Sequence, residues 1–272
     1  MSAAGDQAEG LRRKLSGRAR IVAVAGFSRG AGVTTAAMNL SVELARAGCP
    51  VLLLDEHASG AGAACTIWNV APRGALTDVA AQRMNLAAAS AAIGSTGVRV
   101  LPASDPCAGT FNPRSLCPNG IVVIDAALDR AGQMSALARL ADHLVLVMHS
   151  TAASITATYA GLKQMQLQHA LQTFQFIVNG AADARQAHIV ISNVMNTSSR
   201  YLAVALQPLG FVTHETLVRD AAGVHRTVCE AHATSEAAAE FRRIAAALTQ
   251  RRTGSGGDRA SAAPESLARA AA

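Results

Sequence analysis

The chain has 272 residues, 50% of them apolar and only 3% aromatic, with a formal net charge of +6. That length suits one large α/β domain with tails, and its core must be built from Ala, Val, Leu and Ile. The charge is uneven: residues 1–20 hold five Lys/Arg against two Asp/Glu, residues 251–272 hold four against two, and the stretch between holds 15 against 14, which argues against a nucleic-acid surface spread over the domain and for basic arms that meet an acidic partner or an anionic membrane face.

Short apolar runs alternate with helical patterns along the chain. Ile21–Ala25 reads as a first strand and leads into the Gly-rich segment Gly26-Phe27-Ser28-Arg29-Gly30-Ala31-Gly32-Val33-Thr34-Thr35. A helix follows from Thr34 to about Ala47. Further strands are expected at Pro50–Asp55, Val98–Pro102, Gly120–Asp125, His143–Met148 and Phe174–Asn179, with a short one at Gly210–Thr213. Continuous apolar runs, without alternation, suit strands buried on both faces of a parallel sheet. Helices are predicted over Gln133–Ala141, Ser154–Ala170, Asp183–Met195 and Ser235–Gln250. The polar stretch Ser198-Ser199-Arg200-Tyr201 reads as a break. The expected architecture is a doubly wound, mostly parallel α/β sheet with helices on both faces, in three parts: a basic segment 1–20, a domain 21–250 and a low-complexity tail 251–272.

The N-terminus is polar and charged through Arg20, and no apolar run approaches the length of a membrane span, so a cytoplasmic protein is expected. The five cysteines (Cys49, Cys65, Cys107, Cys117, Cys229) form no CxxC pair and no zinc spacing, which predicts reduced thiols.

The chemistry concentrates where the first strand ends. Strand, Gly-rich loop and helix in that order make a phosphate cradle from backbone N–H groups and a helix N-terminus. Gly30, Gly32, Thr34 and Thr35 keep that frame, yet Val33 stands where a P-loop carries its lysine. The whole chain has two lysines, Lys14 and Lys163, and neither is in the loop. Arg29 is the one cation within the loop and a candidate to reach phosphates. Asp55 and Asp125 each end an apolar strand, where ligands of open α/β sheets sit, so with Thr34 they are candidates to hold Mg2+.

On these residues the chain resembles the MinD/ParA family of P-loop ATPases, whose loop reads K-G-G-x-G-K-T-T. Gly30, Gly32, Thr34 and Thr35 match that pattern, and the two family lysines fall on Ser28 and Val33. The family's Asp-x-Asp after the second strand keeps Asp55 and has His57 for its second Asp. Asn179 falls where the family often places an adenine-reading Asn. The resemblance implies ATP or ADP with Mg2+ as ligands, held weakly or not at all. Asp6-Gln7-Ala8-Glu9-Gly10-Leu11-Arg12 is similar to the N-terminal segment of the flagellar-number regulators of the FlhG/FleN branch. That resemblance implies that Asp6, Gln7, Leu11 and Arg12 dock on a signal-recognition-type flagellar GTPase (FlhF-like) and stimulate it. The expected function is regulation of flagellar number and placement by protein binding, with a flagellar switch or transcriptional regulator as a further partner. Two alternatives are an active ATPase with an ATP-driven dimer and membrane cycle, and a ParA-like partitioning or polar-positioning protein. The first would use the final helix, with Phe241, Ile244 and Leu248 on one side, as a weak anchor at the inner membrane or cell pole. No direct nucleic-acid contact is expected.

Overall fold

The computed structural model describes residues 19–250 apart from 58, 59, 61, 105–110, 130, 170 and 203. The N-terminal segment with Asp6, Gln7, Leu11 and Arg12, the tail 251–272 and Cys107 lie outside the described residues. In chain order the elements are β1 (Arg20–Ala25), α1 (Val33–Arg46), β2 (Val51–Asp55), the short helices α2 (Ala64–Ile67), α3 (Leu76–Ala80) and α4 (Leu86–Ala89), β3 (Ala91–Ala92), β4 (Val98–Pro102), β5 (Ile121–Asp125), β6 (His143–His149), α5 (Ala152–His169), β7 (Thr173–Ala181), α6 (Ala184–Tyr201), β8 (Ala205–Thr213), α7 (Thr216–Gly223), α8 (Val228–Ala231) and α9 (Glu236–Gln250). They form one 8-stranded sheet in the order β3-β4-β2-β5-β1-β6-β7-β8. The strands are parallel except for β3, which runs antiparallel to β4.

The apolar runs are buried on both faces, as continuous Val/Ile/Leu strands require. Val22, Val24, Leu53, Val123 and Val147 point to the layer of α1 and α9, whereas Ile21, Ala23, Leu52, Ile124 and Met148 point to the layer of α5 and α6. In α9, Phe241, Ile244 and Leu248 are 2%, 1% and 2% exposed and pack into the first of these layers. The apolar side of this helix is therefore spent on the core, and the described part of α9 offers no apolar face to a membrane. Among the described residues no helix is long and apolar enough to cross one.

Polar groups fix the start of β1. Arg114 grips Asp142 with both arms of its guanidinium at 2.6 and 2.7 Å and also donates to the Ala19 carbonyl. Asp142 in turn accepts the Ile21 N–H at 2.8 Å. Burial raises the Asp142 pKa, but Arg114 and the Ile21 N–H outweigh it and hold the carboxyl below its ordinary value. Arg20, the first residue of β1, donates to the Leu248 carbonyl of α9 at 3.1 Å. Ala19 and Arg20, the first described residues, are therefore tied to the body of the sheet.

Three expectations are corrected. Residues 133–141 form no α-helix: their backbone is claimed by side chains, with Asp129 accepting from Ala131 and Gln133 N–H and Ser135 accepting from Ala138 N–H, and only the 3-10 turn Ala138–Leu140 remains. The last strand starts at Ala205, not Gly210. Pro208 and Gly210 obscured it, yet β8 is an edge strand, where a proline is tolerated, and it slips register against β7 between Phe176 and Ile177. Ser198–Tyr201 is not a break but the last turn of α6, with Ser198 fully buried.

Because α9 packs on the core through Phe241, Phe241→Ala should destabilise the domain by about 3–5 kcal/mol in a urea unfolding titration. A loss below about 1 kcal/mol would mean that this side of α9 is not a core face.

Candidate nucleotide and cation site

The parallel order carries β1, β2 and β5 to a common edge, and the site forms there. Asp55 and Asp125 are register partners at the ends of β2 and β5, and β1 lies on the other side of β5. The loop after β1 turns through Gly30 at φ 75° and Gly32 at φ 91°, left-handed values that glycine adopts without strain. Gly32 is the N-cap of α1 and no side chain caps that helix, which leaves its first N–H groups aimed at the cleft. A Cβ on Gly32 would also collide with the Asn179 amide.

Side chains hold the loop in place. Asn179 donates to the Ala31 carbonyl at 2.8 Å, so the residue expected to read adenine also clamps the phosphate loop. Ser28, on the position of the first lysine of the family pattern, shares a hydrogen bond with Ser154 of α5 at 2.7 Å. Ser154 also accepts the His149 N–H at 2.9 Å. Phe27 lies against Gly161 of α5 so closely that a Cβ there would strike its ring. Above the loop is a cleft of about 860 Å3 lined by the loop, His57, Ala126, Asp129 and the small face of α5 at Ala157, Ala160 and Gly161. Arg29 is exposed on its rim and makes no hydrogen bond or ion pair with another described residue. The Thr35 carbonyl accepts from the Asn39 amide, and Thr35 lines the cleft.

The two carboxylates differ sharply. Asp55 is fully buried but satisfied, accepting from the His57 N–H at 2.9 Å and the Cys65 N–H at 3.4 Å. Burial raises its pKa, and those amides and His57 oppose the rise. Asp125 is also 0% exposed, and among the described residues neither of its oxygens has a hydrogen-bond partner of good geometry. The His57 imidazole, charged only when protonated, has its Nε2 4.0 Å from Oδ1. Burial pushes the Asp125 pKa up to about 7, and the nearby Thr34 hydroxyl and His57 lower it only in part. A buried carboxylate with empty lone pairs beside Thr34 fits a divalent cation.

One residue escaped the sequence reading. Glu56, 8% exposed, accepts the Ala127 N–H at 2.9 Å and the Ser135 hydroxyl at 2.5 Å, and so ties the segment after β5 to the end of β2. Burial raises its pKa against both hydrogen bonds. The only trace in the sequence is an acidic residue directly after Asp55.

No family model matches the chain. It is 28% identical over 242 residues to the antiactivator FleN of Pseudomonas aeruginosa, an alignment that spans 83% of this chain and 85% of that protein. Its fold superposes on MinD from the Aquifex aeolicus MinC:MinD complex with a TM-score of 0.66 at 17% identity, covering 85% of this chain and 96% of that one. MinD of Pyrococcus horikoshii OT3, solved with Mg-ADP, gives a TM-score of 0.64 at 20% identity over 85% and 96% of the two chains. The fold is MinD-like, and the sequence is FleN-like. These similarities support the MinD/ParA resemblance and its FlhG/FleN branch.

The Asp125 carboxyl binds its proton more tightly folded than unfolded, so its ionisation lowers stability as pH rises from about 4 to about 7. Without divalent cations, Asp125→Asn should melt above the unsubstituted protein at pH 8, and the gap should close as the pH falls toward about 4. A gap that is constant with pH would show that Asp125 is not buried uncompensated.

Proposed function

We propose that this FleN-like protein regulates flagellar number and placement by binding other proteins, with little or no ATP turnover. The observation that carries the reading is the site's frame without its lysine: the loop is clamped in place, Val33 stands at the P-loop lysine position, and the buried Asp125 has no well-formed hydrogen bond among the described residues. Phosphoryl transfer depends on positioning and on neutralising charge, and a phosphate cradle of backbone N–H groups supplies the first more fully than the second. Backbone N–H groups, Thr34 and the strand-end carboxylates fit a weakly held ATP or ADP with Mg2+, whose metal would supply charge neutralisation. The name of the Pseudomonas relative, an antiactivator, supports a transcriptional regulator as one partner of the core. The segment at residues 6–12 would dock on the signal-recognition-type flagellar GTPase and raise its turnover.

The reading in which the protein is an active ATPase depends on Arg29, the one side-chain cation at the cleft rim within the loop. ATP turnover by the full chain with Mg2+ should stay at background. Robust turnover that Arg29→Ala abolishes would replace the binding reading with the enzymatic one. Deleting residues 1–18 keeps the Ala19 carbonyl that Arg114 holds, so the core should melt unchanged while stimulation of the GTPase disappears. Stimulation that survives the deletion would remove the role given to that segment.

A further inference from the structure

We infer that a second pocket, at the end of α1 away from the phosphate loop, binds a small phosphate-bearing anion. The inference goes beyond the protein-binding reading, and the pocket shares no lining residue with the nucleotide cleft.

The pocket has a volume of about 590 Å3 and is lined by Arg46, Trp68, Ser95, His225, Arg226 and Glu230, among others. It lies between the last turn of α1, the end of α2, the turn before β4, and the link from α7 to α8. The helix α1 starts at the phosphate loop, and its 14 residues carry the chain about 20 Å before Arg46 ends it.

The positive groups are only partly spent on the protein. Arg46 donates from Nη1 to Glu43 at 2.8 Å, and its other nitrogens make no hydrogen bond with a described residue. Arg242 holds the second Glu43 oxygen at 3.3 Å, so one buried carboxylate serves two guanidinium groups. Arg226 is exposed, and its guanidinium makes no hydrogen bond or ion pair with another described residue. A tight turn after α7 presents it, with the Arg226 N–H on the Ala221 carbonyl at 3.0 Å and the His225 N–H on the Ala222 carbonyl at 3.1 Å. His225 takes the left-handed position of that turn at φ 59°. Its Nδ1 lies 3.1 Å from the Ile67 carbonyl. A carbonyl oxygen only accepts, so Nδ1 carries the proton and Nε2 is left for a ligand.

Glu230 is the one carboxylate in the lining, and it is turned to other work. Its Oε2 accepts from the Trp68 indole at 3.0 Å, the Thr227 N–H at 2.9 Å and the Thr227 hydroxyl at 2.8 Å. These donors hold the carboxylate at the start of α8 and fix the indole as a wall of the pocket. Two arginines against one glutamate leave the lining net positive, and protonation of His225 adds to it. Guanidinium forks match the oxygens of phosphate, and one phosphate centre offers enough acceptors for both arginines, the imidazole and the Ser95 hydroxyl. The volume falls in the range of small-molecule sites and leaves room for an organic group against Trp68.

Trp68 is the chain's single tryptophan, so its emission reports on this pocket. Inorganic phosphate, AMP and succinate, titrated into the full chain at constant ionic strength and followed by Trp68 emission and calorimetry, test the inference. Phosphate should bind saturably. Succinate should bind at least about tenfold more weakly, because its carboxylates cannot present three oxygens at one centre. Arg226→Ala should cost about tenfold in phosphate affinity, and His225→Asn, which suits the left-handed turn, about threefold. Arg29→Ala, at the rim of the other cleft, should change neither. Arg226 is exposed, so its variant should keep the melting temperature. AMP binding that is tighter than phosphate and weakened by Arg226→Ala assigns an organic phosphate to the pocket, and weaker AMP binding assigns the free ion. Absence of saturable phosphate binding, an affinity unchanged in Arg226→Ala, or succinate binding as tightly as phosphate would each overturn the inference.

Discussion

A carboxylate that cannot reach water sits at the end of the central strand β5, and the local structure is organised around it. Among the described residues Asp125 has no well-formed hydrogen bond to either oxygen, only the nearby Thr34 hydroxyl, while its register partner Asp55 uses both of its own on backbone N–H groups. In a parallel sheet covered on both faces, strand ends are the one place where such a charge can be met from outside. The resemblance places one lysine at Val33, and its loss removes a positive charge from the phosphate side. The exchange of an Asp for His57 removes a negative charge from the carboxylate side. Ser28 stands at the other lysine position, so against the family pattern the site lacks two positive charges and one negative one.

The clamping of the loop fits that view. Ser28 to Ser154, Asn179 to Ala31, and Phe27 on Gly161 are three separate holds on a loop of a few residues. Each reaches to α5 or to the end of β7, so loop position is shared with the layer behind the cleft. A loop preserved only as a remnant would need none of these. Glu56 does the same for the segment after β5, which gains order from side-chain hydrogen bonds in place of a helix.

The fold was legible because its strands are long apolar runs that must be buried on both faces, and every expected strand is present. What was misread depended on context the sequence does not carry. Pro208 hid the first half of β8, since only the sheet order shows that this strand lies at an edge. Gln133–Ala141 has helical composition, but Asp129, Ser135 and Glu56 compete for its polar groups. The short helices from Ala64 to Ala89 are too brief to leave a periodic pattern. Spacing and residue type pointed to Gly30, Gly32, Thr34, Asp55 and Asp125, and the resemblance to Asn179, and the fold gathers them at one edge of the sheet. The contrast between a satisfied Asp55 and an unsatisfied Asp125 depends on which backbone amides fold back, and no linear pattern records that.

The contact between Arg20 and the Leu248 carbonyl has a consequence for the flanking segments. It brings the first residue of β1 beside the end of α9, so the points where residues 1–18 and 251–272, each of net charge +2, join the described domain are neighbours. The phosphate loop begins where β1 ends, on the order of 17 Å away along the strand. Both junctions thus lie at the end of β1 opposite the cleft.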